Sequence, residues 1–389
     1  MFFLVLIMEA RHRHRIALSI CFFVSGISFS TWASRIPSVK ELYNLSEAEL
    51  GSLLLVMPFG NIVGLPISGW LVSKFDSRSP LFAGIVLISM SLAGIGWSTN
   101  IYTLMLSMFF FAFAMRIMNI SMNTQSISLQ KSFLRKIIGS FHAAWSCGGI
   151  IGVALSTFMV KFNVAMPIHL SIVAAVSLVC IGSSFSFLLS GDKTTGGSKL
   201  KLGKPDGYIF ILGLMVFFAS LCEGGMFDWS GVYFKEVVNE DVFTLGYLIF
   251  MVFMALSRFF SDRIVERIGM ERNYIISASL VCLGVLLMIV FPYFWPAIIG
   301  FCLVGIGVAA VIPMTFLLAG SSTKYSPGMA ISIITTYAIV GMLLGPPLVG
   351  YLAHIFNLKI SFILFFTSAL MLIPISQLFF KQKKENIQE

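Results

Sequence analysis

Long apolar runs separated by short polar breaks organise the sequence from one end to the other. Twelve of these runs are long enough to cross a bilayer as a helix, which takes about 20 residues. The expected spans are 15–36, 49–73, 80–98, 101–127, 140–161, 165–190, 207–235, 242–262, 273–291, 294–320, 327–352 and 358–380. The pattern therefore predicts an all-α polytopic membrane protein with twelve transmembrane helices.

Composition agrees with this pattern. Hydrophobic residues make up 58% of the 389 residues and charged residues 11%, against about 25% charged in a soluble domain. The six cysteines all fall within predicted spans without metal-ligand spacing, so we expect small apolar fillers and no metal or cofactor. The opening MFFLVLIM is too short to span and precedes no cleavage-site pattern, and Met1 and Met8 both stay open as the translation start.

The net charge of +9 comes from basic residues concentrated on one side of the predicted membrane. With both termini in the cytoplasm, most of the 26 Lys and Arg residues fall on that side, as the positive-inside rule requires. They include Arg11, Arg13, Arg15, Lys131, Arg135, Lys136, Lys193, Lys199, Lys201, Lys204, Lys381, Lys383 and Lys384. The charge therefore predicts orientation in a cell membrane and excludes nucleic-acid binding.

One Gly- and Lys-rich stretch, 191–206, separates six spans from six. It predicts a cytoplasmic linker between an N-terminal bundle, 1–190, and a C-terminal bundle, 207–389. The halves resemble each other when one is shifted by 193 positions, and equivalent spans enter the membrane from the same side. Two parallel six-helix repeats are the architecture of major facilitator transporters.

The loops after spans two and eight strengthen that resemblance, because both are similar to the superfamily's G-x-x-x-D-R-x-G-x-R motif. The first copy has Ser73 in place of the acid and Asp76 in place of the glycine, whereas the second keeps an acid, a base and Gly269. The resemblance implies an inner-gate network. Its expected members are Lys74, Asp76, Arg78, Arg258, Asp262, Glu266 and Arg267.

Three stretches, WASRIP in span one, FHAAWSCGG in span five and EGGMFDWSGVYF in span seven, resemble the YbjJ-type branch, which is similar to fucose permeases. Membership of the superfamily implies that spans 1, 4, 7 and 10 line a central cavity, and that the bacterial inner membrane is the location. Fucose permeases carry carboxylates in spans one and four. This chain has none there, and Arg116 occupies span four.

Glu223 and Asp228 are the two acidic residues placed in the interior of predicted spans, and the other acids fall at span ends, in loops or in the tails. Arg116 lies fifteen residues into span four and Glu223 sixteen into span seven, so at about 1.5 Å per residue both are near mid-depth. We expect them to pair across the two halves. Intramembrane charges mark ion or substrate pathways, which makes Glu223 the candidate for proton coupling. The alternative is an ion pair that only holds the halves together.

Asp228 lies nearer the outer side and is expected at an outer gate, with Arg35 as a possible partner. Trp229, and Trp32 in the equivalent position of the first repeat, are candidates to stack on a substrate ring or to serve as interfacial belt residues. Both interpretations stay open.

Span four carries a polar stripe of Arg116, Asn119 and Asn123 on one helical face, which indicates cavity lining. His142 and Trp145 share a face of span five, where the histidine binds substrate, relays a proton or simply bonds a neighbour. Gly148 and Gly152 on span five predict close helix approach. The GPP sequence ending at Pro347 predicts a break in span eleven.

These features predict a secondary active transporter that moves a small polar solute, such as a sugar, sugar acid or other organic metabolite, by proton symport. Protons and the solute are the expected partners, and the chain is expected to work as a monomer. Proton-coupled efflux of toxic or amphiphilic compounds is the alternative, and a non-transporting sensor or scaffold the third. The sequence has no nucleotide-binding loop or nucleophile–base pair, so no enzyme is predicted.

Overall fold

A computed structural model describes residues 2–134, 137–192, 206–322, 324–325 and 327–388. Helices make up all of its regular secondary structure within these ranges, which confirms the all-α fold. They are α1 (Phe2–Ser34), α2 (Ile36–Leu42), α3 (Glu47–Leu54), α4 (Val56–Lys74), α5 (Arg78–Trp97), α6 (Ile101–Gln130), α7 (Ile138–Lys161), α8 (Met166–Ser184), α9 (Gly207–Glu236), α10 (Leu245–Ile268), α11 (Met270–Val290), α12 (Phe294–Val308), α13 (Val311–Gly320), α14 (Pro327–Ile355), α15 (Leu358–Ser361) and α16 (Ile363–Gln388).

Eleven helical stretches in the described residues are long and apolar enough to cross a membrane. Eleven of the twelve expected spans correspond to them. The eighth is shorter, because only Leu245–Ser261 of α10 is apolar and the rest of the helix carries the charged residues of the second loop motif. The protein is therefore a multi-pass membrane protein whose eighth span ends in a polar extension.

Proline positions explain where spans are interrupted. Between α3 and α4, Pro58 has no N–H for the Leu54 carbonyl, and between α12 and α13, Pro313 has none for the Ala309 carbonyl. Span eleven contradicts our expectation, because α14 continues through Pro346 and Pro347 as one helix. Gly341 and Gly345 contact α9 instead, and a Cβ on Gly341 would lie 2.4 Å from the Phe217 carbonyl oxygen.

The helices form two compact units. The first contains Met1–Ser38 and Val56–Lys199, and the second contains Val39–Leu55 and Leu200–Glu389. The predicted linker falls largely on residues 193–205, which lie outside the described residues. The 39–55 segment, which holds most of α2 and all of α3, thus packs with the C-terminal helices although it precedes α4 in the chain.

In the first unit, small residues let α1 and α7 approach at backbone distance. A Cβ added to Gly148 would lie 2.0 Å from the Phe23 carbonyl oxygen, and one added to Gly26 would lie 2.1 Å from the Trp145 carbonyl oxygen. A Cβ on Gly152 would be 2.9 Å from the Ile27 carbonyl oxygen. The expected close approach at Gly148 and Gly152 is confirmed, and it places α7 directly against the helix that carries Trp32.

The start of α3 is held by a capping box between Ser46 and Glu49. Ser46 Oγ accepts a hydrogen bond from the Glu49 backbone N–H at 3.3 Å, and the Ser46 backbone N–H donates to Glu49 Oε2 at 2.9 Å. Both orphan donors at the helix start are thereby satisfied.

Replacing Ser46 by Ala is expected to lower the free energy of unfolding by about 1 kcal/mol, because one backbone N–H of α3 loses its acceptor. Thermal unfolding of the purified protein in detergent measures this change. Ser132→Ala removes an exposed serine hydroxyl at the end of α6 and is the matched control. Equal melting temperatures for the two variants would show that the cap contributes nothing measurable.

Candidate functional site

The second unit contains a buried ion pair between two helices. Glu223 on α9 accepts a hydrogen bond at Oε1 from Arg258 Nη2 on α10, over 2.9 Å. The side chain of Glu223 is 8% exposed and that of Arg258 30%. The other carboxylate oxygen, Oε2, is buried and has no hydrogen-bond partner among the described residues. A carboxylate at this depth therefore has one oxygen held and one oxygen available.

A helix break positions the arginine. Pro313 cannot donate to the Ala309 carbonyl, and the break between α12 and α13 leaves that oxygen without its helical partner. Arg258 Nε donates to it at 3.3 Å. A backbone carbonyl that lacks its helical partner inside a membrane needs a hydrogen-bond donor from a neighbour. The Arg258 guanidinium therefore donates both to the Ala309 carbonyl and to Glu223.

This geometry gives Arg258 contacts with Glu223 and Ala309 that the loop motif does not indicate, and its membership of the inner-gate network stays a prediction. The signal in the sequence was Pro313, whose missing N–H required a donor from elsewhere. Asp262, expected beside Arg258, has a side chain outside the described residues. The pairing of Arg116 with Glu223 joins the two units and stays a prediction.

Three further residues of α9, Asp228, Trp229 and Tyr233, differ in their burial and hydrogen bonding. Asp228 is half-buried, and its carboxylate makes no hydrogen bond or ion pair within the part of the chain that the structure describes. Trp229 is fully buried, and its Nε1 has no described acceptor. Tyr233 donates to the Met288 carbonyl oxygen at 2.7 Å. Tyr233 is therefore a core residue of the second unit, whereas Asp228 and Trp229 keep unused polar groups.

In the first unit, the polar stripe of α6 is present as expected. Arg116 packs beside Gly64 of α4, where an added Cβ would lie 3.0 Å from Arg116 Cβ. Its Nε is buried without a partner, and the guanidinium has no ion pair or hydrogen bond among the described residues. Asn123 Nδ2 donates to the Asn119 carbonyl oxygen at 2.8 Å. The stripe thus combines a lone guanidinium with two linked amides.

The predicted residues of α7 lie beside aromatic residues of α1. His142 is exposed, and its ring meets the edge of Phe22 with centroids 5.5 Å apart. Trp145 is half-buried near Phe29, at 6.2 Å between ring centroids. Trp32 is 1% exposed. Of these three side chains, His142 is the one whose surface is open in this conformation.

Arg35 has partners that the sequence analysis did not identify. Its Nε donates to His169 Nδ1 at 3.0 Å, and its Nη2 donates to the Val164 carbonyl oxygen at 2.8 Å. Both acceptors belong to α8 or to the turn before it, within the first unit. These contacts anchor the C-terminal end of α1 and replace the contact with Asp228 as the described role of Arg35.

The first loop motif is held by an acid from beyond α8. Asp192 accepts from the Ser77 backbone N–H at 2.9 Å and from Ser77 Oγ at 2.5 Å. The basic residues of the loop lie over aromatic rings, with Lys74 4.8 Å from the Trp70 centroid and Arg78 5.6 Å from that of Phe185. Asp76 is half-buried beside them.

The second loop is simpler. Glu266 and Arg267 are exposed at the end of α10. Gly269 then turns the chain into α11 with a φ of 82°, a left-handed conformation that glycine adopts without steric cost. This requirement explains why the second copy of the motif has glycine at this position.

The 39–55 segment packs within the second unit through glycines and charges. A Cβ on Gly350 of α14 would lie 2.5 Å from the Glu47 carbonyl oxygen, and one on Gly51 would lie 3.0 Å from that of Pro346. Lys40 pairs with Glu47 at 3.0 Å and also with Glu236 at the end of α9. A further pair joins Lys235 to Glu41. The Lys40–Glu47 pair lies within the segment, so close packing on α14 and two ion pairs to α9 hold the segment in place.

Comparisons with known proteins agree with this architecture. The family model described as Major Facilitator Superfamily matches residues 18–336. An uncharacterized MFS-type transporter of Yersinia pestis is 28% identical over 352 residues, covering 90% of this chain and 91% of the relative. An uncharacterized transporter of Sinorhizobium fredii is 30% identical over 345 residues, covering 88% of this chain and 91% of the relative.

Solved structures show the same fold at low sequence identity. The nucleoside transporter NupG superposes with a TM-score of 0.78 at 12% identity, over 94% of this chain and 99% of that chain. A bacterial homolog to the human lysosomal transporter Spinster superposes with a TM-score of 0.74 at 14% identity, over 96% of this chain and 98% of that chain. At these identities the likeness establishes the fold and leaves the substrate open.

Proposed function

Since the chain belongs to the Major Facilitator Superfamily and is a transporter rather than an enzyme, we propose that it moves a small polar solute by proton-coupled symport. The solute class is a sugar, a sugar acid or another organic metabolite, with a carboxylate-bearing compound favoured. We place the protein in a bacterial inner membrane as a functional monomer with both termini in the cytoplasm. The YbjJ-type, fucose-permease-like branch is the proposed subgroup, on the three stretches that resemble it.

The observation that supports this substrate class most directly is Arg116. Its guanidinium lies within α6, one of the membrane-spanning helices, and no described residue pairs with it. A charge inside a membrane is costly unless it meets a counter-ion or a wet cavity. A guanidinium binds a carboxylate with two parallel hydrogen bonds, so an anionic solute supplies the missing partner.

The neighbours of Arg116 suit a polar solute with hydroxyl groups. Asn119 and Asn123 follow on the same helical face, and Asn123 Nδ2 donates to Asn119 Oδ1 at 3.3 Å. Amide groups both donate and accept hydrogen bonds, which matches the hydroxyl groups of a sugar acid. Binding through α6 would thus combine one charge contact with several neutral ones.

Proton coupling is assigned to Glu223. One of its oxygens is held by Arg258 and the other has no described partner. A carboxylate in this position can take a proton on Oε2 while Oε1 keeps its hydrogen bond to Arg258 of α10. Arg258 also donates to the Ala309 carbonyl. A change in the charge of Glu223 would therefore alter the hydrogen bonding of Arg258 at the break between α12 and α13.

The substrate assignment is tested by the conservative variants Arg116→Gln and Arg116→Lys. A thermal-shift panel of the purified protein would contain glucuronate, galacturonate, their neutral parent sugars, a nucleoside and simple organic acids. We expect a carboxylate-bearing compound to stabilise the wild-type protein. The affinity for that compound should fall at least tenfold in Arg116→Gln, about the effect of one charge-assisted hydrogen bond, and recover partly in Arg116→Lys.

Asn100→Ala is the matched control, because Asn100 caps the outer start of the same helix and lies far from Arg116 along α6. The control should bind like the wild-type protein. If neutral sugars stabilised the protein as well as sugar acids did, and Arg116→Gln bound both unchanged, the carboxylate-bearing class would be wrong. Movement of the bound compound out of cells rather than into them would favour the efflux alternative.

A further inference from the structure

The start of α1 contains a cluster of basic and imidazole side chains that the proposed transport mechanism does not use. The sequence there reads RHRHR, from Arg11 to Arg15. Two cavities of about 440 Å³ and 490 Å³ lie directly beside it, both within the first unit. Cavities of this size are typical of small-ligand sites.

The two cavities flank one ridge of exposed aliphatic residues. Ile16 and Ile20 line both cavities, and Ile16 is 62% exposed. On one side of the ridge the wall is completed by Phe23 and Ala144, and on the other side by Ala17 and Phe187. Two apolar grooves therefore run down either side of a single turn-and-a-half of α1, within a helix that crosses the membrane.

Each groove has a polar end. His12 and Arg15 stand at the first, and Arg13 stands at the second with Ser183 and Ser184. Ser184 is 3% exposed, and its hydroxyl has no hydrogen-bond partner among the described residues. No acidic side chain lines either cavity. The ends thus offer positive charge and an unused hydroxyl, while the lengths of the grooves are apolar.

The basic side chains are held in place by their own unit. Arg15 Nη2 donates to Ser140 Oγ at 3.1 Å, and its guanidinium lies 5.8 Å from the ring centroid of Phe133. The His12 ring meets the edge of the same phenylalanine at 5.6 Å. A guanidinium has five N–H donors, so Arg15 keeps donors for a ligand after bonding Ser140.

We propose that this site binds one diacyl anionic phospholipid, with its phosphate on Arg15 and His12, with Arg13 at the polar end of the second groove, and with one acyl chain in each groove beside Ile16 and Ile20. Two apolar grooves that share Ile16 and Ile20, each with basic side chains at one end, suit a lipid with two chains and one headgroup. Basic residues at the cytoplasmic boundary of a membrane favour anionic lipids.

Native mass spectrometry of the full-length protein tests the proposal with dioleoyl phosphatidylglycerol and dioleoyl phosphatidylcholine at equal concentration. We expect one phosphatidylglycerol molecule to be retained about ten times more often than phosphatidylcholine, because each basic contact adds to the affinity. R13Q/R15Q should remove that preference. K381Q/K383Q deletes two basic charges at the other end of the chain and should keep it.

Two further arms separate a lipid from other ligands. Ile16→Gln changes an exposed residue, so the protein folds, and it should weaken retention of phosphatidylglycerol without restoring phosphatidylcholine. Inorganic phosphate and glycerol 3-phosphate should not displace the lipid at matched concentration. The proposal is overturned if the two lipids are retained equally, if K381Q/K383Q loses the preference as R13Q/R15Q does, or if the free phosphates compete fully.

Discussion

Glu223→Gln is expected to abolish proton-driven accumulation while leaving the protein folded and able to bind its solute. Glutamine has the volume of glutamate and still accepts a hydrogen bond from Arg258, but it cannot gain or lose a proton. In proteoliposomes with an imposed pH gradient, the ratio of internal to external solute should fall from well above one to about one. Counterflow of labelled solute, which needs no proton, should continue.

The loss of the ion pair with Arg258 determines how much Glu223→Gln lowers the free energy of unfolding. Breaking a buried pair by removing one partner costs about 3–5 kcal/mol, but Arg258 is 30% exposed and water screens part of its charge. Glu223→Gln should therefore lower the free energy of unfolding by only about 1–3 kcal/mol. Arg258→Gln should be worse for stability, because it also leaves the Ala309 carbonyl without its donor.

Asp241→Asn provides the control for the coupling experiment. Asp241 is an exposed acid in the connection between α9 and α10, so its neutralisation should leave accumulation unchanged. Asp228→Asn distinguishes the two acids of α9. If Asp228→Asn removed accumulation and Glu223→Gln retained it at wild-type pH dependence, the coupling role would belong to Asp228 and our assignment to Glu223 would be wrong.

The helical architecture followed from the sequence because apolar length alone decides which segments can span a bilayer. The same physics accounts for the packing of α1 on α7, since Gly148 and Gly152 sit four residues apart and can admit a neighbouring backbone. Proline effects were harder to predict. Pro58 and Pro313 interrupt their spans, whereas Pro346 and Pro347 do not. Whether a proline ends a helix depends on neighbours that replace its missing hydrogen bond.

The intramembrane charges proposed for the site could be located from the sequence, whereas their side-chain contacts could not. Intramembrane charge identified Arg116, Glu223 and Asp228, because such charges are costly. The partners of Glu223 and Arg35 came instead from contacts distant in sequence, Arg258 and His169. Side-chain pairing depends on helix rotation and register, to which hydrophobic periodicity is insensitive. Unpaired backbone groups, such as the Ala309 carbonyl, were the signal that could have identified Arg258.

Gly350→Leu is expected to release the 39–55 segment from the second unit. A Cβ at this position would lie 2.5 Å from the Glu47 carbonyl oxygen and 3.0 Å from Gly51 Cα, and backbone atoms cannot move aside as a flexible side chain can. The segment joins α1 and α4 of the first unit along the chain, so its release is expected to affect transport. Weakening its attachment should favour the detached state and slow net uptake.

Thiol labelling of a cysteine introduced at Ser52 measures that detachment, because Ser52 Oγ lies 3.0 Å from the Tyr351 hydroxyl when the segment is attached. The background should carry Cys147→Ser, since Cys147 is an exposed native thiol. We expect labelling to be about tenfold faster in Gly350→Leu, which corresponds to a shift of about 1.4 kcal/mol.

Lys40→Met, which removes the ion pairs to Glu47 and Glu236, should also speed the labelling, by a smaller factor. Gly320→Leu adds the same side chain in the second unit where no atom lies within 4 Å, and it should label like the parent. Unchanged labelling in a folded Gly350→Leu protein would show that the segment stays attached.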